Sequence, residues 1–151
     1  YSRTQIQKEM IHFQQAWEQK SFKIALDCLT KILGLGIGLT PTGDDFITGL
    51  LASFSALKQL PSNFQQLAVL AKERTNAVSY AEIHEAVNER FSQLVQRVFL
   101  SIESGNTNEM AQAVSALEEV GSTSGSDILC GIIFGLKLFC EENNHDNSNS
   151  N

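Results

Sequence analysis

Asp44 and Asp45 stand side by side at the head of an apolar run in GLTPTGDDFITGLL, residues 38–51. A third aspartate, Asp127, has a similar setting in GSTSGSDILCGII, residues 121–133. Thr40, Thr42, Gly43, Asp45 and Gly49 fall opposite Ser122, Ser124, Gly125, Asp127 and Gly131 at a constant offset of 82 residues (127 minus 45). A carboxylate so placed can accept N–H groups from a ligand, join a magnesium site or cap the helix that follows.

Capping is the plainer of these uses. Thr42-Gly-Asp-Asp45 and Ser124-Gly-Ser-Asp127 both fit the capping box, in which a hydroxyl and a carboxylate satisfy first-turn amides. It does not account for the glycines at 34, 36 and 38, for the second hydroxyl two residues earlier, or for the repetition. Glycine suits close backbone approach. A turn of amides at a helix start suits an anion or a carboxylate. This second reading makes Asp44, Asp45 and Asp127 the catalytic candidates. The substrate-binding candidates are Gly38, Thr40, Thr42, Gly43, Ser122, Ser124, Gly125, Arg74 and Thr75.

Electrostatics restricts the ligand. A helix start carries about half a positive charge, against as many as three negative aspartates. A bare phosphate would be repelled. Three arrangements survive: a phosphate bridged by Mg²⁺ on Asp44 and Asp45, a ligand amide or amine donating to the carboxylates, or aspartates turned inward with amides facing the anion. Mg²⁺ is thus an open cofactor, and no dedicated metal site is read from the sequence. Arg74 is the nearby candidate for a supplied cation.

Helices must position these residues. Ile6, Met10, Phe13 and Trp17 recur at helical spacing, which predicts a helix over 4–20. Ser21 caps a second, closed by Gly34. A third runs from Asp44 to about Leu60, before Pro61. Further helices are expected over 63–74, 80–103 and 107–119, and from Gly125 to about Glu141. TNAVS, residues 75–79, interrupts the pattern. The fold class is all-α: one helical domain over 1–141, with the two glycine-rich turn–helix motifs packed together through small-residue strips. The polar tail 142–151 is expected to be disordered.

The chain has 151 residues and a formal net charge of −6, which argues against nucleic acid or an anionic membrane surface as the partner. No apolar stretch approaches the roughly 20 residues of a membrane span. Cys28, Cys130 and Cys140 follow no disulfide or zinc pattern and are expected as small core residues in a cytoplasmic protein. The first residue is Tyr rather than Met, which leads to the expectation of the C-terminal part of a longer protein.

GLGIGLTPTGDDFITGLLA resembles the Gly-Leu-Thr-Pro-Ser-Gly-Asp-Asp signature of an uncharacterised bacterial family that includes the AllH-type subunit of oxamate carbamoyltransferase, from anaerobic allantoin breakdown. GSTSGSDILCGI is similar to its second signature, and TNAVS to a Thr-x-x-x-Ser element between them. Thr42 stands where serine is usual, and Ser126 where an aromatic residue is frequent. Members carry an additional N-terminal region. The resemblance implies a transferase subunit that works with other protein subunits on a small-molecule substrate, moving a carbamoyl group between phosphate and oxamate. No nucleophile is paired with a base, so direct transfer between positioned substrates is expected. Two alternatives stay open: a non-catalytic helical scaffold or regulatory subunit, and a magnesium-dependent enzyme acting on another small phosphorylated metabolite.

Overall fold

A computed structural model describes residues 1–150. The described residues form eight α-helices and no strand: α1 (Ser2–Glu18), α2 (Phe22–Ile32), α3 (Thr42–Ala56), α4 (Gln66–Arg74), α5 (Ala77–Val87), α6 (Gln93–Ser104), α7 (Thr107–Glu118) and α8 (Ser124–Ser148), with a 3₁₀ turn, Ser62–Gln65, before α4. The all-α expectation therefore holds.

The helix over 80–103 is two helices. α5 ends at Val87, Glu89 takes a left-handed φ of 60°, and the Arg90 amide donates back to the Glu85 carbonyl. Ser92 then caps α6 by accepting from the Val95 amide. Glu89 and Arg90 are good helix formers, so the break left no trace in the periodicity. α3 stops at Ala56, with Lys58 left-handed, ahead of the expected Leu60. α8 runs past Glu141 to Ser148, and residues 141–150 are exposed. Ser21 precedes α2 but makes no side-chain cap.

Two apolar clusters hold the helices. One gathers α1 to α5 around Phe13, Leu29, Leu50, Phe54 and Phe64, with Trp17 stacked on Phe54 at 4.5 Å between ring centroids. The other joins α6 and α7 to one face of α8 through Val95, Val98, Leu117 and Ile132. Of the cysteines, only Cys28 is in the core. Cys130 and Cys140 are exposed because the buried face of α8 follows Ile128, Gly131, Ile132, Gly135 and Leu138, out of phase with both.

α3 and α8 are the central pair, and they run parallel. A Cβ on Gly49 would lie 1.9 Å from the Ile128 carbonyl oxygen, and one on Gly131 would lie 2.1 Å from that of Phe46. Only hydrogen at these positions lets the axes approach so closely. Further along, Ser53 Oγ donates to the Ile132 carbonyl at 2.8 Å. Both helices therefore begin at the same end of the molecule.

Candidate functional site

The heads of α3 and α8 meet. Thr40 Oγ1 and Ser124 Oγ form a hydrogen bond of 2.6 Å across 84 residues of sequence. Neither motif forms a capping box: α3 starts after Pro41 and α8 after Thr123, and neither start has a side-chain cap. Thr42 and Ser124 are instead the first residues inside their helices. The carboxylates are thereby left for other work.

Asp44 is committed to structure. Its Oδ1 accepts from the Gly34 amide at 2.7 Å and its Oδ2 accepts from Thr75 Oγ1 at 2.5 Å. These bonds tie the loop after α2 and the start of TNAVS to α3. Gly34 is required there twice over: its φ is 73°, and a Cβ would lie 2.3 Å from the Arg74 carbonyl oxygen.

Asp45 is the opposite case. It is 1% exposed, and neither of its oxygens makes a hydrogen bond. Burial raises its pKa from 3.8 to about 7, against the lowering effect of the nearby Ser124 and Thr40 hydroxyls, and the charges of Glu82 and Asp127 push the same way as burial. One of the two hydroxyls donates to the other, which leaves a single hydroxyl proton free to turn toward Asp45 and favour its carboxylate, although neither Asp45 oxygen has a partner of ordinary hydrogen-bond geometry. Asp127 is also buried, and its Oδ2 has no partner. The result is an enclosed set of unused acceptors between two helix heads, an arrangement that is costly unless something donates to it.

The amides are less free than the sequence suggests. The Gly43 amide donates to the Leu35 carbonyl at 2.8 Å and the Gly125 amide to that of Val120 at 3.0 Å, while the Asp44 and Asp45 amides return to Pro41. Such a head offers a ligand acceptors rather than an anion cradle.

Residues 32–136 match the family of the oxamate carbamoyltransferase subunit AllH. The chain belongs to the AllH family. The matched span contains both turns and the 75–79 element, the segments that supply Asp44, Asp45, Asp127 and Thr75. A subunit family has other protein subunits as partners. No solved structure matches the chain. No described helix is long and apolar enough to cross a membrane.

The candidates named from sequence in this AllH-family chain divide into groups. Thr40, Asp45, Ser124 and Asp127 come together; Asp44 joins Thr75 beside them; and Thr42 packs against Gly36, where a Cβ would lie 2.6 Å from the Thr42 nitrogen. Arg74 is not brought in, because its guanidinium donates to the Thr30 carbonyl at the end of α2. Gly38, with φ 99°, and Ser122 are exposed, unlike the buried carboxylates. Glu82 was missed, and Ser79 entered only as the last residue of the TNAVS element. Glu82 faces the aspartates from α5, its pKa raised by burial and by the Asp44 charge. Ser79 is fully buried and its hydroxyl has no partner. Helical spacing from Ser79 to Glu82, three residues on, was the signal available for Glu82.

Proposed function

We propose that this chain recognises the carbamoyl group in a carbamoyltransferase-type assembly, with Asp45 as the recognising residue. The observation that carries the reading is a buried carboxyl with both oxygens unpaired, enclosed by the Thr40–Ser124 pair and Asp127. Near neutral pH, a carboxyl titrating at about 7 is present as both acid and carboxylate. The acid form matches a carbamoyl group edge to edge. Its O–H donates to the carbamoyl oxygen, and its carbonyl oxygen accepts from the carbamoyl N–H.

That pairing also serves transfer. As the oxamate nitrogen bonds to the carbamoyl carbon, the bond to phosphate oxygen breaks, the departing phosphate takes the proton that the nitrogen gives up, and negative charge develops on the carbamoyl oxygen in passing. A carboxylic acid kept neutral by its surroundings is an established donor for such charge. Asp127 accepts the second carbamoyl N–H. The acceptor-rich head does not receive the phosphate, whose cationic partners come from other subunits.

Magnesium on Asp44 and Asp45 fits poorly, because Asp44 already spends one oxygen on Gly34 and the other on Thr75. Among the described residues, no three acidic, histidine or cysteine side chains are placed to hold a metal together. The regulatory alternative draws on Ile37 and Leu39, 95% and 76% exposed on the glycine loop beside the site, where a partner subunit would cover them.

Calorimetric titration with carbamoyl phosphate and with oxalurate tests the reading. Asp45→Leu should weaken binding by roughly 100-fold, the worth of two hydrogen bonds. Asp45→Asn keeps a donor and an acceptor, so it should still bind, with an affinity that no longer depends on pH. Normal affinity in Asp45→Leu would remove Asp45 from the site and leave the regulatory role.

A further inference from the structure

A cleft of about 470 Å³ opens between α3, α5, α6, α7 and α8, with Phe91, Leu94, Val95, Leu117 and Ile128 forming its apolar wall. This volume suits a small organic molecule. The carbamoyl chemistry has no use for it, since carbamoyl phosphate and oxamate are small and polar throughout.

The polar groups at its mouth are unequal. Arg90 is spent on Glu85, with Nε to Oε2 at 2.5 Å and Nη2 to Oε1 at 2.9 Å, and that pairing pulls the Glu85 pKa down to about 2. The one cation lining the cleft is therefore already matched and leaves nothing for an anionic ligand. Glu82, also at the rim, has no hydrogen-bond or ion-pair partner among the described residues. Thr48, one turn after Asp44 on α3, lines the cleft with a buried Oγ1 that has no partner. Asp44 adds to the negative potential near Glu82.

We propose that this cleft is a second ligand site, selective for a small primary amine with an apolar body. The ammonium group donates to the Glu82 carboxylate and the Thr48 hydroxyl, and the apolar body lies on Phe91, Leu94 and Leu117. This site does not depend on Asp45 binding a carbamoyl group.

Three probes of one shape test it by calorimetry on the full chain: phenethylamine, phenethyl alcohol and phenylacetate. Phenethylamine should bind at least 10-fold more tightly than the alcohol, and phenylacetate should not bind. Glu82→Gln should remove the preference for amine over alcohol. Ala81→Trp, placed on an exposed rim residue, should block phenethylamine and phenethyl alcohol while oxalurate binding stays unchanged. Equal affinity for the three probes, or an amine preference that survives Glu82→Gln, would overturn the proposal. So would self-association abolished by Ala81→Trp in a protein that binds no amine, which would make the cleft a contact between copies.

Discussion

Asp44 and Asp45 are neighbours on one helix turn, yet the regions they serve have opposite energetic characters. The Asp44 region is closed: two donors, Gly34 N and Thr75 Oγ1, take one oxygen each. The Asp45 region is open in the chemical sense, with two buried oxygens that lack a partner of ordinary hydrogen-bond geometry and have only the Thr40 and Ser124 hydroxyls beside them. The first arrangement stabilises the fold, and the second costs stability. Residues held at a loss in a buried polar site mark where a protein has kept function over stability.

The largest expected effect separates the two regions by sign. Asp44→Ala leaves the Gly34 amide and Thr75 hydroxyl without their acceptor and should cost about 3 kcal/mol, read as a lower chemical-denaturation midpoint. At pH 8, Asp45→Asn should instead raise stability by about 2 kcal/mol. The full shift from 3.8 to about 7 would convert to ~4 kcal/mol, which polar screening around the group reduces. If both substitutions destabilise equally, the contrast between the regions is lost.

The same contrast appears as a pH dependence. The folded Asp45 keeps its proton to about pH 7, whereas an unfolded aspartate loses it near 3.8. Folded protein therefore binds more protons across that window, and this group's contribution to stability falls as pH rises from about 4 to 7 and then stays level. Subtracting the Asp45→Asn profile from that of wild type should isolate this slope. A difference profile that is flat from pH 4 to 8 would contradict it.

Smaller effects sharpen the boundary. Thr75→Val removes one donor from Asp44 and should cost 1–2 kcal/mol without altering carbamoyl affinity. Thr40→Val breaks the pair with Ser124 and should cost about 1 kcal/mol. It also removes a dipole that lowers the Asp45 pKa, so the Asp45 midpoint should move upward. An Asp45 midpoint that does not respond to Thr40→Val would separate that hydroxyl from the site.

Much of this arrangement was legible in the chain. Apolar spacing gave the helices, and the repeated Gly-x-Asp pattern with Gly49 and Gly131 pointed to two helix heads at one end. The break at Glu89 was not legible, because a left-handed residue flanked by helix formers leaves the apolar period intact. Nor could the sequence divide labour between Asp44 and Asp45. That division depends on Gly34 and Thr75, residues 10 and 31 positions away from Asp44, arriving at the same carboxylate. The capping-box pattern misled for a related reason: both helices begin one residue earlier than a Thr42 or Ser124 cap would have them begin, which puts those hydroxyls inside the helix rather than before it.

The central claim is that Asp45 is held as a nearly neutral acid so that it can pair with a carbamoyl group. Carboxyl ¹³C chemical shifts of Asp45, followed from pH 4 to 9 with and without oxalurate, test this most directly. The account predicts a midpoint near 7 in the free protein and a higher one with ligand bound. A free-protein midpoint near 4, or a downward move on binding, would contradict it.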